Sequence, residues 1–255
     1  MLGAIVGDIV GSVYEYHAVL GGERPLLAPG STYTDETVLT VAVADSILHQ
    51  RPYADTLREW AVANPGRRYS TRFQKWLVDP EHTLPLSYSN GAAGRVSAVG
   101  WAFDTLDETL EEARRSAEPT HSHPDGVAGA QAVAAAIFLA RTDASKQEIR
   151  DELESRFGYD LHRSLLDCTG GWFEAAELSV PEAIICFLES TDVASSLQHA
   201  VDLLGDADSQ AAIAGSIAEA FYRGVPADLA APCLAVLPEQ FRSIVDEFRT
   251  RFHLP

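Results

Sequence analysis

Apolar positions recur at three- and four-residue spacing along almost the whole chain, the periodicity of helices that bury one face. Val38, Leu39, Ala42, Val43, Ser46 and Ile47 make one such stripe. Ile213, Ile217 and Phe221 make another in AAIAGSIAEAFY, and a last helix is predicted from about Pro238 to Phe252. The N-terminal MLGAIVGDIVG reads as a buried first helix, with Gly3, Gly7 and Gly11 at every fourth position for close packing. GVAGAQAVAAAIFLA is expected to be the most buried element, because small residues on all sides let neighbouring helices approach.

Helix punctuation supports the same reading. Thr105-x-x-Glu108 and Ser145-x-x-Glu148 have the form of capping boxes, and Gly158 offers a left-handed stop to the second helix. Ser179-x-x-Glu182, with Pro181 in the first turn, is predicted to open PEAIICFLES. Asp192 is predicted to cap VASSLQHAVDLL, which should end at Gly205. No period-two strand, internal repeat or low-complexity linker interrupts the pattern, so the expectation is a single all-α domain over residues 1–255. The loops 64–72 and 79–95, rich in Pro, Gly, Asn and Ser, are long enough to carry function.

Composition narrows the function. The chain has 255 residues, 46% of them hydrophobic, and a formal net charge of −18. Such an acidic surface repels nucleic acid and anionic membranes, and no block of five or more basic residues offsets it. No apolar stretch is long enough to span a bilayer, and the N-terminal run lacks a basic flank and contains Asp8. The three cysteines, Cys168, Cys186 and Cys233, are scattered. That pattern suits a reducing compartment. A cytoplasmic monomer is the expectation.

Candidate chemistry lies in two acidic clusters, each directly before an apolar helix. The first is Thr34-Asp35-Glu36-Thr37 and the second is Gly205-Asp206-Ala207-Asp208-Ser209. Carboxylates in a first helical turn offset the helix dipole, which accounts for either cluster alone. If the two helices pack side by side, four carboxylates converge, and such a group stays ionised only around cations. Oxygen-only ligands with hydroxyls select hard ions such as Mg²⁺ or Mn²⁺. Asp206 and Asp208 would lie roughly 200° apart on a helix, so an extended entry segment is expected to aim both the same way. Asp8 and Glu15 are seven residues apart, about two turns, and are able to share a face. Asp8 also reads as a hydrogen-bonded polar group within the helix packing.

Two further stretches are candidates. Ser89–Ser97, SNGAAGRVS, has small residues that expose backbone N–H groups to a phosphate. THSHPDG presents His121 and His123 with no Cys or third His nearby, so a ligand hydrogen bond or a helix cap fits better than zinc.

In order along the chain, GDIVGSVYE, TDET, NGAAGRVSAVGWAF, THSHPDGVAGAQA and GDADSQAAIAGSIAEAFYRGVP resemble the motifs of the ADP-ribosylglycohydrolase family, which includes the dinitrogenase reductase activating glycohydrolase. The resemblance implies an orthogonal all-α helical bundle with two Mg²⁺ or Mn²⁺ ions in a cleft. It implies hydrolysis of the glycosidic bond between ADP-ribose and a modified protein side chain or small molecule. By the same resemblance Thr34, Asp35, Glu36, Asp206, Asp208 and Ser209 would form the metal shell, with Glu15 and Asp35 as catalytic carboxylates. Asn90, Gly91, Ala92 and Ala93 would hold the diphosphate, and His123 and Gly126 would line the ribose side. Four positions depart from the family's motifs: Glu36 stands for Asp, Ser209 for Thr, Gly94 for Met and Leu204 for Gly. The departures at Glu36 and Gly94 also suit a relative that binds ADP-ribose or a related nucleotide without efficient turnover.

Overall fold

A computed structural model describes residues 1–15, 24–79, 87–171 and 173–255. They form helices α1 (Leu2–Gly11), α2 (Asp35–His49), α3 (Tyr53–Ala63), α4 (Thr71–Val78), α5 (Gly91–Gly94), α6 (Ser97–Ala102), α7 (Leu106–Ala117) and α8 (Pro124–Arg141). The order continues with α9 (Lys146–Phe157), α10 (Leu165–Cys168), α11 (Ala176–Leu188), α12 (Val193–Asp202), α13 (Ala207–Phe221), α14 (Ala227–Ala235) and α15 (Glu239–Arg251). The fold is all-α. Among the described residues the only extended pairing is an isolated bridge between Ser89 and Ala175.

α8 runs through the middle, packed against α5, α6, α7, α9, α11 and α13. Its run from Ala132 to Ile137 is fully buried, as its small-residue composition requires. The most extensive helix pair is α1 with α13, and both helices are buried from end to end apart from Phe221. The glycine spacing explains how they fit. A Cβ on Gly3 would stand 2.7 Å from the Gly215 carbonyl carbon, one on Gly7 2.6 Å from the Ala212 nitrogen, and one on Gly11 2.5 Å from the Ala207 carbonyl carbon. The contacts run backwards along α13 as α1 advances, so the helices are antiparallel. Backbone lies on backbone, and the N-terminus of α13 comes to the C-terminus of α1.

Most of the predicted punctuation is present. Thr105 accepts from the Glu108 amide, Ser145 and Glu148 form a reciprocal capping box, and Gly158 is left-handed. Asp192 and Ser195 box the start of α12. Two boundaries differ. α11 opens at Ala176 rather than at Ser179, because the Ala176 amide donates to the Tyr88 carbonyl and anchors the chain earlier. Ser179 is therefore inside the helix and donates to the Ala175 carbonyl, with Pro181 inside as well. α12 ends at Asp202, and the left-handed residue after it is Leu204, with φ 62°, rather than Gly205. Gly205 is small for another reason: a Cβ there would lie 2.8 Å from the Gly171 carbonyl oxygen. Helices α3, α4, α5, α6, α10 and α14 fall where no helix was expected; α4 begins inside the supposed 64–72 loop, capped by Ser70, and α5 lies inside the supposed 79–95 loop, whose residues 80–86 are outside the described residues.

Gly7→Ala tests the close approach. The added methyl has only backbone to displace, so urea unfolding is expected to show a loss of about 1–3 kcal/mol. An unchanged midpoint would show that α1 and α13 separate freely.

Candidate metal centre

The site is built outward from Asp8, which is fully buried in α1. Its carboxylate accepts from the Thr34 amide at 2.9 Å, the Thr34 hydroxyl at 2.6 Å, the Thr37 amide at 3.1 Å and the Thr37 hydroxyl. Four donors from one helical turn converge on one carboxylate. The N-terminus of α2 is thereby fixed against α1, and the whole TDET segment with it. Thr34 spends its proton on Asp8 and accepts from the Glu36 amide at 3.3 Å, which leaves one lone pair of its hydroxyl for a cation.

The antiparallel α1–α13 contact delivers the second cluster to the same place. Asp206 is the N-cap of α13, with φ −74° and ψ 74°, and Asp208 lies in the first turn. Asp208 is thus inside the helix rather than in the extended entry segment expected, and the non-helical backbone of Asp206 alone lets the two carboxylates meet. Each offers an oxygen that lies within 4.8 Å of the other and of a Glu15 oxygen. Glu15, just beyond α1, has a side chain only 9% exposed and is held by Arg68, whose Nη1 donates to Glu15 Oε2 at 2.7 Å and to the Ser12 carbonyl at 2.8 Å. Glu36 approaches from α2: its Oε1 accepts from the Ser209 hydroxyl at 3.3 Å, and its buried Oε2 has no partner among the described residues. Asp35 is half-buried, with its amide donating to the Arg67 carbonyl at 2.7 Å.

Asn90 anchors the cluster from beneath. Its side-chain amide donates to Asp206 Oδ2 at 2.7 Å, and its backbone amide donates to the Glu174 carbonyl at 2.8 Å. The Ala93 and Gly94 amides are turned back onto the Asn90 carbonyl at 2.7 and 3.0 Å, and the Ala92 and Ala93 side chains are core. Under the same turn lies Arg95, fully buried, donating from Nη2 to the Ser116 carbonyl and the Thr120 hydroxyl at 3.0 and 2.8 Å. His121 completes the chain, bonded to Thr120 Oγ1 at 2.8 Å and Ser89 Oγ at 2.9 Å. Burial, with Arg95 nearby, holds its imidazole well below the usual histidine range.

Arg68, which holds Glu15, also lines a cleft of about 710 Å³, with Tyr69, Ser70, Thr71 and Arg72 on one side and Ser87–Ser89 and Phe173–Ala175 on the other. Tyr88 and Phe173 are 50% and 42% exposed, with the Arg72 guanidinium over the Tyr88 ring at 5.9 Å. A larger cavity of about 900 Å³, between the α2–α3 turn, Phe103 and Phe252, lies apart from every acid of the cluster. Its charges are already matched, as Arg51 pairs with Asp45 and Glu59, and Arg115 with Glu112.

The sequence profile of the family described as ADP-ribosylglycohydrolase matches residues 1–254. The chain belongs to the ADP-ribosylglycohydrolase family. Its relatives include the ADP-ribosylhydrolase ARH3 of Mus musculus, 28% identical over 305 aligned positions that cover 87% of this chain and 82% of that protein. The Homo sapiens ADP-ribosylhydrolase ARH3 is also 28% identical, with 87% and 84% covered. A solved structure of an ADP-ribosylglycohydrolase-related protein complex shares the fold, with a TM-score of 0.73 over 97% of this chain and 95% of that one, at 23% identity.

Family membership and the ARH3 relatives indicate a glycohydrolase, and the fold holds a buried acidic cluster. Of the residues expected at the metal, Asp206 and Asp208 stand with Glu15, while Ser209 and Glu36 touch each other on the adjoining wall and Thr34 is locked to Asp8. Of those expected at the substrate, Asn90 is committed to Asp206. His123 caps α8, accepting from the Asp125 amide at 3.2 Å, with its ring edge-on to Tyr88 at 5.9 Å. Gly126 is packed beneath Ser87, where a Cβ would lie 2.7 Å from the carbonyl oxygen. The cleft residues Arg68, Arg72, Tyr88 and Phe173 were not singled out from the sequence, although Arg68, Arg72 and Tyr88 fall in the two loops that were.

Burial raises the carboxyls, and their mutual repulsion adds to it. Asp206 rises to about 6, tempered by Asn90. Asp35 rises to about 8, with Asp8 the next cause after burial. Asp208 and Glu36 go well above the ordinary range, the first by burial and then Asp206, the second by burial and then Asp35. A carboxyl whose folded pKa exceeds its unfolded one stabilises the fold when protonated. That contribution is complete below about pH 4 and is lost as pH rises through 6 and 8. A bound cation would replace the protons. In EDTA the melting temperature is therefore expected to fall between pH 5 and 8.5, while the gain on adding Mg²⁺ grows over the same interval. A gain that does not change with pH would contradict the electrostatic reading.

Proposed function

We propose that this protein is a metal-dependent hydrolase that cleaves the glycosidic bond between ADP-ribose and a modified side chain or small molecule. The observation that carries the reading is the triad of Glu15, Asp206 and Asp208, with ligand oxygens mutually within 4.8 Å, linked through the Arg68–Glu15 pair to a cleft lined by aromatic and guanidinium groups. The donor set fits Mg²⁺ or Mn²⁺, being all oxygen, strongly anionic and partly hydroxyl. Glu36 Oε2, buried and without a partner among the described residues, is a further acceptor. Asp206, Asp208 and Glu15 would hold one ion; Thr34, Asp35, Glu36 and Ser209 line the wall where a second would sit. Such a centre supplies an activated water at neutral pH and an electrostatic anchor for the ribose hydroxyls.

The protein's own groups do the rest. Tyr88 and Phe173 present faces for the adenine, since aromatic rings stack with offset or edge geometry. Arg68 and Arg72 place guanidinium groups, suited to bidentate phosphate binding, along the diphosphate's path. In an acidic protein these cationic side chains take the place first expected of backbone amides in the Asn90 turn. Arg68 also ties Glu15 to the cleft, so substrate phosphate and the carboxylate share one positioning residue. Glu15 and Asp35 then face the anomeric carbon, where carboxylates stabilise an oxocarbenium-like state as the leaving group departs.

The test is release of free ADP-ribose, followed by mass spectrometry, from ADP-ribosylated arginine and serine peptides and small ADP-ribosylated molecules. We expect release in Mg²⁺, none in EDTA, and a fall of about 100-fold or more in folded Asp208→Asn. Release that persists in EDTA would sink the metal mechanism. Tight ADP-ribose binding without release from any substrate would favour a binding protein instead.

A further inference from the structure

We infer that Gly94 is a positioning residue for the acidic centre, because a missing side chain there makes the room that the long carboxylate of Glu36 occupies. The inference rests on reading that centre as a cation site. Glu36 is buried in the first turn of α2 and reaches across to the end of α5. A Cβ built on Gly94 would lie 2.7 Å from Glu36 Cδ, 3.2 Å from Oε1 and nearer still to Oε2. Real Cβ atoms are not found so close to a carboxylate carbon. Gly94 has an ordinary helical neighbourhood and no positive φ, so backbone freedom does not explain it. Space for Glu36 does.

What an added methyl would displace is the carboxylate itself, the mobile end of the side chain, rather than backbone. The other walls restrict where the head can go. A Cβ on Gly91 would meet Oε1 at 3.8 Å, Ser209 Oγ stands 3.3 Å from Oε1, and Asp35 is the adjacent residue. The fold therefore tolerates the methyl, and the cost falls on the position of Oε1 and Oε2. Oε2 is the atom with most at stake, being buried with no partner among the described residues. Aspartate at position 36 would draw the head back by one C–C bond, roughly 1.5 Å, and away from position 94. The length of residue 36 and the emptiness of residue 94 are thus two halves of one fit.

A double-mutant cycle in Mn²⁺ binding tests this without any turnover. Isothermal titration would be run on the wild type, Gly94→Ala, Glu36→Asp and the double variant, with melting temperatures in EDTA recorded for each. Gly94→Ala is expected to weaken Mn²⁺ binding about tenfold or more while its melting temperature in EDTA changes little. With Glu36→Asp already present, the same glycine change is expected to alter binding by about twofold or less. Equal effects of Gly94→Ala in both backgrounds, or no effect in the wild type, would overturn the pairing and leave the cation site standing. Loss of folding with Gly94→Ala in both backgrounds would do the same, because it would assign the glycine to helix packing. A wild-type protein that takes up no Mn²⁺ would overturn the cation site and the pairing together.

Discussion

Backbone-to-backbone packing of α1 on α13 is possible only because Gly3, Gly7 and Gly11 carry no side chains at the contact. The helices are antiparallel, so their closest ends bring Gly11 to Ala207, and the acids of the α13 N-terminus come to the chain that leaves α1 toward Glu15. One turn earlier in α1, Asp8 takes four donors from Thr34 and Thr37 and sets the start of α2. Two helix entries that are far apart in sequence thus face the same space. Were α1 held a side chain's width away from α13, the carboxylates would stand too far apart to share an ion.

Such convergence is costly without a cation. Asp35, Glu36, Asp206 and Asp208 are all driven up by burial, and neighbouring carboxylates add to each shift. The surrounding polar groups offset only part of this. Asn90 steadies Asp206, and Arg68 pairs with Glu15. Arg95 lies buried beneath, its own pKa lowered to about 10 by burial in spite of Glu36 and Asp35. Stability is given up locally to hold these acids together, a common arrangement at functional sites.

Much of this was legible in the sequence. The every-fourth-residue glycines, the small-residue run of α8 and most of the caps follow from local chemistry, which periodicity and capping residues report directly. The two acid clusters were visible too, but their meeting was not, since distance between helices is a tertiary quantity. Asp8 shows the same limit. Its burial was foreseeable, whereas its role as the acceptor for one turn of α2 needed the packing. The α11 start was misplaced because a long-range bond from Ala176 to Tyr88 decides it, against a good local box at Ser179. Glu36 and Gly94 read as two unrelated departures from a motif, and only the fold puts them in contact. Tyr88 and Phe173 carry no pattern of their own; two loops joined by the Ser89–Ala175 bridge place them on one cleft.

The central claim is that the α1–α13 contact assembles a cation site from acids that local sequence keeps apart. A crystal grown in Mn²⁺ and measured at a wavelength where manganese scatters anomalously locates any bound ion directly. The account predicts an anomalous peak within about 2.0–2.3 Å of oxygens from Asp206, Asp208 and Glu15. A protein with the same fold and no peak there, or with manganese only on surface carboxylates, would contradict it.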